Sequence, residues 1–123
     1  MNGATVKNFN AENYLPIFYR TSMIQHSVIF SIIENLDDIR LKQFFKAAQQ
    51  LTNIPGVINF KSWKQVSKKN AFQYGLSMEF ATHEQYQQYN HHPTHVAFIN
   101  EQWIPCVADF LEIDYEPLAE EFF

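Results

Sequence analysis

The stretch YNHHPTHVAF, residues 89–98, gathers Tyr89, His91, His92 and His95 around Pro93. An ordinary histidine titrates near ~6.5 and can accept a proton at neutral pH. A tyrosine hydroxyl can donate to a carbonyl oxygen as negative charge builds on it. Tyr89 and His95 are therefore a candidate acid/base pair for abstracting a proton beside a carbonyl and holding the enolate that results. The alternative is a hydrogen bond at a helix joint, fixing the bend at Pro93, because buried polar groups ordinarily find partners. His26, set among β-branched residues in QHSVIFSI, is a third candidate that would orient a substrate; its alternative is a satisfied core histidine. Its face of the strand, shared with Val28 and Phe30, is not assigned by the pattern alone.

A metal site built from His91, His92 and His95, with His83, is not expected. Zinc needs three or four convergent ligands, whereas adjacent residues on a helix point about 100° apart, and neither HExxH nor Cys-x-x-Cys is present. His83 and His91 read as exposed. No cofactor signature appears, so none is expected.

The elements that would position these residues follow from periodicity. MIQHSVIFSII, residues 23–33, is a strand by its β-branched and aromatic content. NLDDIRLKQFFKAAQQL is an amphipathic helix, with Asp37 and Asp38 at its positive end and Leu41, Phe44, Phe45, Ala48 and Leu51 at helical spacing. It must stop at Asn53-Ile54-Pro55-Gly56. VINFKSWKQV and FQYGLSMEF read as a hairpin across a polar turn at 67–70. Thr82 followed by Gln85 is a capping-box signature, and Tyr86 and Tyr89 share a face of the helix it opens. Pro93 ends that helix at His92 and favours the start of a second through THVAFINEQW. VADFLEIDYE closes the domain as a fourth strand.

Composition narrows the function classes. The 123 residues suffice for one domain with a real core. Apolar residues make up 46% and charged residues 18%, which places the chain among globular proteins. A net charge of −4, with no basic run longer than Lys68-Lys69, gives no phosphate-backbone footprint, so nucleic acid is not an expected partner. The single cysteine, Cys106, reads as a buried structural thiol. No run of eighteen apolar residues occurs, and the first residues lack a basic segment followed by an apolar one. The expectation is a cytoplasmic chain with no membrane partner. Residues 1–22 read as an N-terminal extension that docks on the domain or a partner, residues 23–116 as the domain, and residues 117–123 as a tail whose acidic part is solvated.

The order β-α-β-β-α-β is the split βαβ, ferredoxin-like arrangement, an α+β fold with a four-stranded antiparallel sheet. Right-handed crossovers put both helical connections on one face. The other face has no cover from its own chain, yet residues 28–33 and Val107, Phe110, Leu111 and Ile113 put apolar groups on both parities. An apolar patch larger than roughly 300–600 Å² usually marks an interface, and a second copy packing sheet on sheet, a homodimer, would cover it.

QHSVIFSI, IPGVINF after the first helix, YGLSMEF, YNHHPTHVAF and the closing VADF, in this order and spacing over residues 23–115, resemble the stress-responsive A/B barrel, or dimeric alpha-beta barrel (Dabb), domain family. The resemblance implies a dimer whose two sheets close a barrel. It is also similar to a plant polyketide cyclase of that family, whose reactive tyrosine and histidine lie in a Tyr-x-x-His-Pro-x-His string matched here by Tyr89, His92, Pro93 and His95, and whose first-strand histidine falls on His26. Two further pocket positions of the cyclase, a tyrosine and a histidine, fall near Ala48 and on Tyr74, so the pocket's polar contacts differ. The resemblance implies a small apolar or aromatic ligand between helices and sheet, with Tyr74, His92, Tyr86 and Phe30 around it. Two functions follow: ligand binding without chemistry, or cyclase-like or isomerase-like catalysis by His95 as base and Tyr89 as acid and oxyanion stabiliser.

Overall fold

Alternating large apolar residues define the first strand and decide its faces. In the computed structural model, which describes residues 23–123, strand β1 (Ile24–Ile32) buries Ile24, His26, Val28 and Phe30 on one side. Helix α1 (Asp38–Gln49) lies across that side and runs on into a 3-10 turn (Gln50–Asn53). Asp37 caps it by accepting the Arg40 backbone N–H at 2.7 Å, which satisfies one of the donors a helix start leaves unpaired. Pro55 and Gly56 end the segment. Gly56 has φ +93, and a Cβ there would lie 3.3 Å from the Gln85 side chain, so only glycine suits the turn.

Strands β2 (Ile58–Lys64) and β3 (Tyr74–Phe80) form the expected antiparallel hairpin. Asn59, at φ 54, sits where the register slips between Ile58 and Lys61, a left-handed conformation that asparagine tolerates. Helix α2 (His83–His91) follows, with the Thr82 hydroxyl accepting from Gln85 N–H at 3.1 Å as the capping signature requires. Helix α3 (Pro93–Phe98) opens at Pro93 and is capped by His92, whose Nδ1 accepts from Thr94 N–H at 3.1 Å.

Beyond Phe98 the helix widens into a π-helical stretch (Ile99–Trp103) before a last turn (Ile104–Cys106). Pro105 has no N–H to give the carbonyl of Glu101 four positions back, and its ring crowds that carbonyl. The freed Glu101 oxygen instead accepts from Arg40 Nη2 at 2.9 Å, while Arg40 Nη1 donates to Gln102 Oε1 at 2.6 Å. One arginine thus pins the start of α1 to the wide turn. Strand β4 (Val107–Tyr115) completes the sheet.

The strand order is β2-β3-β1-β4, antiparallel throughout, and the fold is α+β and ferredoxin-like. The core lies between sheet and helices: Phe30, Phe44 and Phe80 are fully buried, and Phe30 meets Phe44 at 5.6 Å and Trp103 at 5.0 Å. Cys106 is free and buried, as expected. The opposite face carries Ile29, Trp63, Leu111 and Ile113 interleaved with Ser27, Ser77 and Gln25. Trp63 is half exposed, and its indole N–H donates to Ser77 Oγ at 2.7 Å. This face is mixed rather than wholly apolar, because Gln25, Ser27 and Ser77 share it, while β4 turns Phe110 to the helix side. At the C-terminal end Leu118, Phe122 and Phe123 are exposed. Residues 1–22, read above as a docking extension, lie outside the described residues. No described helix is long and apolar enough to cross a membrane.

Candidate functional site

Where the helices lift away from the sheet they leave a cavity of about 260 Å³. Val28, Leu76 and Met78 on the sheet and Leu51 beyond α1 form an apolar floor, while Phe98, Ile99, Trp103 and Phe110 form its walls. Ile99 and Trp103 both face inward from the π-helical stretch, and Trp103 meets Phe110 edge-on at 5.5 Å. Five residues with polar side chains converge on this apolar space: His26, Tyr89, Asn90, His95 and Glu112. A cavity of apolar walls with a few convergent polar groups is the usual form of a small-molecule site.

His95 comes to the cavity because the Pro93 joint turns α3 back over α2. Its Nδ1 lies 3.0 Å from the Asn90 carbonyl; a carbonyl can only accept, so Nδ1 carries the hydrogen and Nε2 keeps its lone pair. The ring packs 4.5 Å from that of Tyr89. Burial holds the His95 imidazole below the usual histidine value, partly opposed by the Asn90 hydrogen bond and reinforced by neighbouring His26. Burial, helped by the Glu112 carboxylate, pushes the Tyr89 phenol upward, so it stays protonated and able to donate.

An imidazole whose folded value lies below its unfolded one binds a proton more readily when the chain unfolds. Its contribution to stability is complete above about 6.5 and is lost as pH falls through that value toward the folded one. His95→Gln is therefore expected to flatten the loss of stability on mild acidification, as read from urea midpoints across that window. Parallel curves for the two proteins would contradict the assignment.

His26 is anchored from behind. Its Nδ1 lies 2.6 Å from Asp114 Oδ1, and the Tyr86 hydroxyl donates to Asp114 Oδ2 at 2.9 Å while its oxygen sits 2.9 Å from the same Nδ1. Burial first, then the hydrogen bond to Asp114 and its charge, push the Tyr86 phenol far up. With Nδ1 so engaged, Nε2 faces the cavity, 3.8 Å from Glu112 Oε2. The fold thus brings His26, Tyr89 and His95 to one cavity. It does not put Tyr74, His92, Tyr86 or Phe30 on the lining: Tyr86 braces His26, His92 caps α3, and Phe30 and Tyr74 pack together at 5.9 Å beneath the site.

His83 is exposed and pairs with Glu116 at 3.0 Å, and His91 is exposed on the last turn of α2. Among the described residues no group of three His, Cys, Asp or Glu could hold a metal ion. Glu112, Asp114 and Trp103 were missed as site residues. The available signal was two carboxylates, Glu112 and Asp114, two apart in a strand that also carries Asp109: like parity puts the pair on one face, and only the pairing of His26 with Asp114 shows that this face is the cavity side.

Comparison with known proteins adds to this geometry. A family model described as the stress responsive A/B barrel domain matches residues 24–117. A Dabb family protein of ferredoxin-like fold from Mesorhizobium loti is 43% identical, with 79% of this chain and 98% of that one covered and a TM-score of 0.74. Hydroxynitrile lyase from Passiflora edulis is 16% identical, with 81% and 96% covered and a TM-score of 0.72. A dimeric protein of unknown function from Bacteroides fragilis is 19% identical, with 77% and 96% covered and a TM-score of 0.63. These last two likenesses are of fold. Comparison with curated proteins finds no match. The match along nearly the whole described chain, with its bacterial relative of like sequence, means that this chain belongs to the stress responsive A/B barrel (Dabb) domain family.

Proposed function

We propose that the chain works as a homodimer that binds a small apolar or aromatic molecule in the cavity between helices and sheet. The observation that carries this is the convergence of His26, Tyr89 and His95 on an apolar cavity of about 260 Å³. The dimer reading draws on the open sheet face, where Trp63 and Leu111 stand half exposed beside Ile29 and Ile113, and on the dimeric relative of like fold. Light scattering should give twice the chain mass of 14.5 kDa. In the same sample the aromatic probe 4-ethylphenol should shift the indole N–H resonance of Trp103 and the ring signals of His95. A monomer would remove the dimer reading, and unmoved signals at saturating probe would remove the ligand reading.

A second reading, catalysis, is favoured by the state of His95. Its Nε2 lone pair is left unused by the Asn90 contact, and burial keeps the ring neutral. A neutral imidazole beside a protonated phenol is the pairing that proton abstraction next to a carbonyl requires: His95 takes the proton, Tyr89 donates to the enolate oxygen, and His26 orients the substrate. A plant hydroxynitrile lyase of the same fold shows that this architecture can house an active site.

A further inference from the structure

We infer that Glu112 selects the ligand: the cavity accepts molecules that bring a hydrogen-bond donor, such as a phenol or an alcohol, and rejects carboxylates of the same size. The inference rests on reading the cavity as a ligand site and goes further, naming the chemical class that site takes.

The register of β1 with β4 sets Glu112 opposite Val28, on the cavity side of the edge strand. Its carboxylate lines the cavity with one edge toward water, its side chain 55% exposed, and it approaches His26 Nε2 only to 3.8 Å. That gap is too long for a hydrogen bond. Asp114 differs, because its two oxygens are engaged by His26 and Tyr86. Glu112 thus keeps acceptor capacity facing a space that is apolar on its other sides.

Among the described residues no lysine or arginine lines the cavity. Of the two imidazoles there, His95 is held neutral by burial, and His26 already gives its Nδ1 to Asp114. A carboxylate entering this space would lose water and meet the like charge of Glu112 at its rim. A phenol hydroxyl would instead donate to Glu112, a charge-assisted hydrogen bond roughly twice as strong as a neutral one. The sign of the discrimination is therefore set by one side chain on the rim.

The test uses the full chain and two probes of matched size, 4-ethylphenol and 4-ethylbenzoate, titrated at neutral pH while the Trp103 indole N–H is followed. The phenol is expected to bind at least about tenfold more tightly. Glu112→Gln, an isosteric change at a half-exposed strand position, should narrow that ratio to about threefold or less, chiefly by improving the benzoate. Glu112→Leu should narrow it too and serves if the amide variant folds poorly. Equal affinities in the unaltered protein would overturn the selectivity and leave the ligand site standing. A preference unchanged in both variants would overturn the role of Glu112. Failure of both probes to bind would overturn this inference together with the ligand reading beneath it.

Discussion

Replacing Phe30 by alanine is expected to destabilise the domain by about 3–5 kcal/mol. Phe30 is fully buried on β1 and is the ring around which the upper core is arranged. It touches Trp103 at 5.0 Å, Phe44 at 5.6 Å, Tyr74 at 5.9 Å and Phe45 at 6.3 Å. Those neighbours come from α1, β3 and the π-helical stretch, so no single movement can fill the space left behind. The loss is a large share of the roughly 5–15 kcal/mol that holds a typical domain together. Urea unfolding followed by circular dichroism measures it, and a cost below about 1 kcal/mol would show that the core can collapse around the gap. Phe30 lies behind Trp103 and not on the cavity lining. A milder change, Phe30→Leu, should therefore lower stability with little effect on probe binding, which separates a packing role from a ligand contact.

The second large effect is expected in proton transfer. If the cavity is catalytic, the protein should accelerate exchange of the α-hydrogens of acetophenone with deuterated water, and His95→Ala should cut that acceleration by about 10²–10⁴-fold. Tyr89→Phe, which removes the donor to the enolate oxygen, should cut it by about 10²–10³-fold. Both variants should keep the native spectrum, since the Tyr89 ring, 2% exposed, retains its packing in phenylalanine. Exchange is followed by NMR and needs no knowledge of the natural substrate. Unchanged exchange in both variants would assign the pair to the helix joint instead of to chemistry.

Much of the architecture is legible in the sequence. Thr82 with Gln85, Asp37 before the first amphipathic run, and Pro93 after His92 are local signals. Each acts through the backbone within one helical turn, and each element begins where its signal stands. Tyr89 and His95 could be paired because they flank the same joint. The π-helical turn was not foreseen, although Pro105 carried its cause: the proline withholds a hydrogen bond from Glu101, and the outcome depended on Arg40 arriving from another helix. Glu112 and Asp114 were overlooked for a related reason. Strand parity groups residues into two faces without saying which face is inside, and the answer came from pairing with β1, a contact across 88 residues between His26 and Asp114. The same ambiguity hid which face His26 occupies. The ring of contacts that braces His26 is long-range throughout, so periodicity along one segment could not have drawn it.

In the proposed function a small aromatic molecule lies between Trp103 and the Tyr89–His95 pair. A crystal structure grown with 4-ethylphenol tests it most directly. Density is expected for the ring over the floor of Val28, Leu76 and Met78, with its hydroxyl turned toward Glu112 and His26 Nε2. A cavity collapsed on itself, with Trp103 packed against Met78 and the probe elsewhere or absent, would contradict it.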